Sequence, residues 1–225
     1  TAMINGFNML FGTRLKLGCW TSYLEMRHHL LELNQQHRQS FSKDLGAFSG
    51  LLFEVGAGKL VVQGNSSDLT FISSDALGGG NAGAVTVVAK SLSVTGAGFI
   101  SSDTYTSGDG GDISIKSDTI GLKDFGNIRS RTLGGGLAGN IRIATGALDL
   151  QSGGAISSEA TETSVGNAGF IGITADAVTL GKGSLITTAS RGEGNAGQVG
   201  IAAVLVSGFR AEFEQVDHDE RAVFG

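Results

Sequence analysis

The sequence predicts an all-β fold, a parallel β-helix or solenoid, and three observations predict it. Short apolar runs alternate between glycines: in GNAGAVTVVAKSLSVTGAGFISSDT, residues 80–104, the pairs Val85/Val87 and Leu92/Val94 and a third run opened by Ile100 have period 2, a strand signal. The pattern then recurs. Gly83 returns as Gly111, Gly139, Gly169 and Gly197 at intervals of 28, 28, 30 and 28 residues, and Ile72 as Ile100, Ile128, Ile156 and Ile186 at 28, 28, 28 and 30. Both series carry one two-residue insertion, between Ile156 and Gly169. Finally, the 225 residues include 37 glycines and no proline. Glycine reaches turn conformations that other residues reach only at a cost, and proline cannot donate to a ladder.

Each run is too short to bury a face alone, so stacking of repeats must supply the core. A coil of about 28 residues with three strands places equivalent residues in columns at the inter-strand spacing of about 4.8 Å. Inward columns are Val85/Ile113/Ile141/Ile171/Val199 and Val87/Ile115/Ile143/Ile173/Ile201 in the first run. The second run supplies Leu92/Ile120/Leu148/Val178 and Val94/Leu122/Leu150/Leu180. Ser74, Ser102, Ser130, Ser158 and Thr188 follow the third-run isoleucine by two and share its side, where stacked hydroxyls are expected to bond along the column. Asn81, Asp109, Asn167 and Asn195 form a turn column that Leu137 interrupts.

Three regions follow: a flank of residues 1–50, repeats over 51–208, and a charged tail, 209–225. All four histidines, the three methionines, Cys19 and Trp20 lie in the flanks. Ser22 with Glu25 reads as a capping box, predicting an amphipathic helix over residues 22–41 that covers the exposed edge of the first coil. The same flank also fits a segment foreign to the solenoid. Register is loose before Ile72, and Gly208 stands where an apolar residue is expected.

Chemistry is sparse. Net charge is −5 with both signs interspersed, so neither a nucleic-acid stripe nor a polybasic membrane patch is expected. No apolar run approaches the roughly 18 residues that span a bilayer, and the opening residues lack a signal-peptide pattern. His28, His29 and His37 have no metal-ligand spacing, and the DHDE run at 217–220 reads as a solvated tail. GDGGDISI, residues 108–115, superficially resembles a calcium nonapeptide, but its Asp112 column reads Ala84, Asp112, Asn140, Phe170, Gln198 and supplies too few oxygens. No GxSxG elbow occurs and no histidine lies within the repeats, so no metal, cofactor or catalytic residue is expected.

One outward column carries charge: Asp75, Asp103, Arg131, Glu159, Ala189, beside Ser73, Ser101, Arg129, Ser157, Thr187. Asp103, Arg129, Arg131 and Glu159 are therefore the candidate binding residues. They are expected to be a hydrated surface ion-pair ladder worth about 0–1 kcal/mol per pair. The alternative is an active patch of a polysaccharide lyase or hydrolase, which requires clustered acids.

GNAGAVTVVAKSLSVTGAGFISSDT and GNAGFIGITADAVTLGKGSLITTAS resemble the repeats of filamentous haemagglutinin-type exoproteins, passengers of two-partner secretion, in the glycine-rich form common among cyanobacterial members. The resemblance spans residues 51–208 and implies a right-handed parallel β-helix, an outer-membrane secretion partner, and a secreted or cell-surface location. It implies adhesion to surface glycans or proteins, or a spacer role, and supplies no catalytic residues. Without proline these residues hold none of the family's asparagine-proline motifs, so a fragment of a passenger, or a short relative with unusual ends, is expected. The expected function is thus a non-enzymatic adhesin-like segment, with a polysaccharide-active enzyme and a self-associating intracellular repeat protein as alternatives.

Overall fold

A computed structural model describes residues 56–64 and 70–208, together with the backbone of 10–11, 14–18, 29–33 and 52–55. In chain order the strands are β1 (Leu10–Phe11), β2 (Arg14–Gly18), β3 (His29–Leu33), β4 (Leu52–Gln63), β5 (Phe71–Ser73), β6 (Val85–Thr95) and β7 (Phe99–Ser101). They continue as β8 (Ile113–Lys123), β9 (Asn127–Thr132), β10 (Ile141–Leu150), β11 (Ala155–Ala160), β12 (Ile171–Leu180), β13 (Leu185–Ser190) and β14 (Val199–Ser207).

The protein is a parallel β-solenoid of about five turns. One sheet stacks β4, β6, β8, β10, β12 and β14, and a second stacks β5, β7, β9, β11 and β13. Register follows the repeat: Ile113 faces Val85 and Ile141, and Ile128 faces Ile100 and Ile156. The two-residue insertion falls in the turn after β11, because Ile156 pairs with Ile186 and Ile141 with Ile171. Before Ile72, Phe53 pairs with Val85, 32 residues on, whereas Ile72 pairs with Ile100, 28 on; the loop between β4 and β5 therefore holds four extra residues.

Two of the three expected strands are one. β6 runs unbroken from Val85 to Thr95 and turns a corner, where Lys90 and Ser91 both point outward between inward Ala89 and Leu92. The core is the predicted set of columns: Val85, Leu92, Ile100, Ile113, Leu122, Ile128, Leu148 and Ile171 are all at most 1 % exposed. At roughly 25 cal/mol per Å² of apolar surface, such columns dominate the stability.

The helix expected over residues 22–41 is corrected for part of its length. Residues 29–33 are extended in β3, parallel to β4, with Leu31 opposite Leu60. The apolar Leu30, Leu31 and Leu33 fit either element, and the unpaired edge of β4 favours a strand that satisfies its backbone groups. The remainder of that expected helix lies outside the described residues, as does the tail after Gly208.

The serine column bonds along the axis as expected, through backbone carbonyls: the Ser130 Oγ donates to the Ser102 carbonyl (3.0 Å) and the Ser102 Oγ to the Ser74 carbonyl (3.3 Å). The same hydroxyls also bond across to the glycines. The Ser102 Oγ donates to the Gly83 carbonyl (2.8 Å) and accepts from the Gly111 N–H (3.0 Å). Ser130 bridges Gly111 and Gly139 in the same way, and Ser158 bridges Gly139 and Gly169. A hydroxyl reaching across the interior replaces the ladder bond between successive glycines. Only glycine fits there, since a Cβ on Gly139 would run into the Gly111 carbonyl.

Candidate functional site

The charged column lies on the outer face of the sheet formed by β5, β7, β9, β11 and β13. β7 and the residues after it place Phe99, Ser101 and Asp103 outward, and β9 places Asn127, Arg129 and Arg131 beside them. Phe71 stacks on Phe99 at 4.9 Å with the rings 10° apart, and the Arg129 guanidinium lies 4.4 Å from the Phe99 centroid. That contact is a cation–π interaction, which orients the guanidinium toward Asp103.

Asp103 is not a hydrated surface group. Its side chain is 0 % exposed, while Arg129 and Arg131 retain 21 % and 27 %. Its Oδ1 accepts the Arg131 N–H at 3.0 Å. Its Oδ2 accepts from Arg131 Nη2 (2.8 Å) and Nε (3.2 Å) and from Arg129 Nε (3.1 Å). The expectation of an open, solvated column is thus corrected at Asp103. Alternation fixed its direction correctly, but the arginine side chains of the next coil fold back onto it. Desolvation acts against the Arg131 guanidinium, yet the bond and charge of Asp103 outweigh it and raise its affinity for the proton.

Asp75, one coil earlier, repeats half of the arrangement. Its Oδ1 accepts the Asp103 N–H (2.9 Å) and the Ser101 hydroxyl (3.0 Å). No arginine stands in its row on β7, because Ser101 and Asp103 occupy those positions. Burial therefore raises its pKa above the usual carboxylate value, with the Asp103 charge adding to the shift. Sequence reasoning placed Asp75 in the column and expected hydration to keep its carboxylate ordinary; the burial corrects that. Glu159 is brought into the same row but, among the described residues, forms no ion pair within 4 Å; its charge acts on Arg131 only at a distance. Tyr105, 41 % exposed, flanks the group, and desolvation followed by the nearby Asp103 and Asp75 charges raises its pKa.

The same geometry recurs at other columns and explains itself there. Asn81 Oδ1 accepts the Asp109 N–H, Asp109 Oδ1 the Leu137 N–H, and Asn167 Oδ1 the Asn195 N–H, all within 2.8 Å. Asp112 Oδ1 accepts the Asn140 N–H and Asn140 Oδ1 the Phe170 N–H. An Asn or Asp at these sites reaches forward one coil and satisfies a backbone N–H, an Asx ladder along the axis. Asp109 and Asp112, the acids of the calcium-like run, are engaged in this way. Among the described residues no group of three or more His, Cys, Asp or Glu side chains is placed to hold a metal ion.

A shallow trough that sequence reasoning missed lies on the outer face of the other sheet. It encloses about 650 Å³ beside Lys116, Arg142, Phe170, Thr174 and Ala202. Phe170 lies over Gly172 and Gly200, where a Cβ on Gly172 would come within 2.6 Å of its ring. Two glycines within predicted strands were the available signal, since strand glycine marks a close approach.

Fold and site together define a parallel β-solenoid whose outward polar groups are joined coil to coil. No family model, curated protein or solved structure matches the chain. No helix among the described residues is long and apolar enough to cross a membrane, which says nothing of a β-barrel.

Proposed function

We propose that the chain is a non-enzymatic segment of a secreted or surface adhesin-like exoprotein, serving as a stiff spacer that offers its flanks to glycans or partner proteins. The observation that carries this reading is the engagement of Asp103. Both of its oxygens are held by a backbone N–H and two guanidiniums, so the one carboxylate enclosed by the arginines is tied up and does not trade protons with a substrate. A continuous core through every described coil supports the spacer role, because bending would have to open parallel ladders.

Asp75 favours a second reading. A buried carboxyl with a raised pKa near an exposed tyrosine is what a polysaccharide-active site uses for proton transfer. The test separates the two. The intact chain is incubated with acidic and neutral polysaccharides, and both retention on the polymer and release of new chain ends are measured. Retention without cleavage is expected. Cleavage that vanishes in Asp75→Asn, with the far-ultraviolet spectrum unchanged, would replace the adhesin reading by the enzyme.

A further inference from the structure

Among the described residues β14 is the last strand of its sheet, and we infer that its edge pairs with the β14 of a second copy of this chain across a two-fold axis. Among the described residues β14 has a partner on one side only, β12, so its other row of backbone groups is unpaired. Edge strands usually carry a charge or a proline that blocks such pairing. Here no charged residue stands between Gln198 and Arg210.

The corner of this coil has also changed character. Val204 stands in the column of Lys90, Asp118, Gly146 and Asp176, and Leu205 in that of Ser91, Thr119, Ala147 and Ala177. Polar or small residues give way to two apolar ones only on the last described coil, where they are 89 % and 60 % exposed.

The order of sides along β14 selects the partner. By register with β12, Val199, Ile201 and Ala203 face inward and Gly200, Ala202 and Val204 outward; beyond the corner Leu205 faces out, Val206 in and Ser207 out. This order is a palindrome about the Val204–Leu205 bond. An antiparallel second copy centred there matches Ala203 with Val206, both inward, and Ala202 with Ser207, both outward. Val204 of each copy then meets Leu205 of the other, so four exposed apolar side chains close on one another at the corner. At the other end of the stack β4 is not an edge strand, because β2 and β3 pair with it opposite β6. An interface of this kind is isologous and closes at two copies.

Sedimentation of the full chain over a range of concentrations tests the inference, with a reversible monomer–dimer equilibrium expected. Val204→Asp introduces the residue that Asp118 and Asp176 already carry in that column, so folding is preserved, and the dimer dissociation constant should rise at least about tenfold. Val88→Lys, mid-stack on an outer face, should leave it unchanged. In a Cys19→Ser background, Val204→Cys with Leu205→Cys should yield a disulfide-linked dimer on oxidation, and Val88→Cys should not. A chain that stays monomeric throughout, a dimer indifferent to Val204→Asp, or growth beyond two copies would each overturn it.

Discussion

Two aspartates of this molecule make the same bonds in different surroundings. Asp103 and Asp112 each direct Oδ1 to a backbone N–H of the next coil and Oδ2 to an arginine, Arg131 and Arg142, at 2.8 Å in both pairs. Asp103 is fully enclosed, whereas the Asp112 and Arg142 side chains are 46 % and 57 % exposed. A bonding pattern alone therefore does not fix what an ion pair contributes. Solvent around Asp112 screens the pair and competes for its partners, so it belongs to the class worth about 0–1 kcal/mol. At Asp103 the enclosed charge has no water to return to, and loss of either partner leaves the other stranded.

Removing each carboxylate separates the two cases most. Asp103→Ala strands two guanidiniums and a backbone N–H and should destabilise by about 3–5 kcal/mol in denaturant unfolding. Asp112→Ala in the same assay should lose about 1 kcal/mol or less. Similar losses at both sites would show that burial is not the deciding variable. Salt sharpens the contrast: about 1 M NaCl, with a Debye length near 3 Å, should erase the smaller loss and leave the larger one nearly intact.

Acid gives an intermediate effect of opposite sign at two carboxylates. Desolvation acts to raise the Asp112 pKa, but the Asn140 N–H, the Arg142 bond and the Arg142 charge outweigh it and hold the carboxyl below 3.8. Its stabilisation is complete above that unfolded value and is lost as pH falls through the lower folded one. Asp75, raised by burial, behaves inversely: its penalty is full at neutral pH and fades as pH falls from the raised folded value to 3.8. Asp75→Asn, which keeps an Oδ1 for the Asp103 N–H, should therefore melt higher than the native chain at pH 7. The two melting temperatures should converge on acidification. A constant gap across pH would remove titration as the cause.

The smallest effect is expected at Arg129. Arg129→Lys keeps a charge near Asp103 but loses the planar contact with Phe99, which should cost about 0.5–1 kcal/mol. A loss matching that of Asp103→Ala would mean that Arg129, rather than Arg131, is the principal partner.

Much of the fold was legible in the sequence because columns repeat. One insertion shared by the glycine and isoleucine series located the turn after β11 without any structure. The corner was visible too, as a phase slip from Val85, Val87, Ala89 to Leu92, Val94, which alternation alone reads as two strands. The candidate site was legible only in direction. Period 2 says which side Asp103 takes, but its depth depends on where the long side chains of Arg129 and Arg131 fold, and no local pattern encodes that. The burial of Asp75 was not legible for the same reason: its environment is set by residues 26 and 28 positions away, Ser101 and Asp103. The helix expected across residues 29–33 failed because the Leu30, Leu31, Leu33 spacing suits both elements and the needs of the β4 edge are not local.

The Asx ladder gives the stack a direction. Asn81, Asp75, Asp109, Asp112 and Asn167 each belong to one coil and satisfy an N–H of the coil that follows, never of the one before. A finished coil thus presents ready-placed acceptors on its C-terminal rim and needs none from its successor to complete its own N–H groups at these positions. The chain can be laid down one coil at a time in synthesis order, each layer templating the next. Assembly in reverse would leave every new rim short of the oxygens that its neighbour requires.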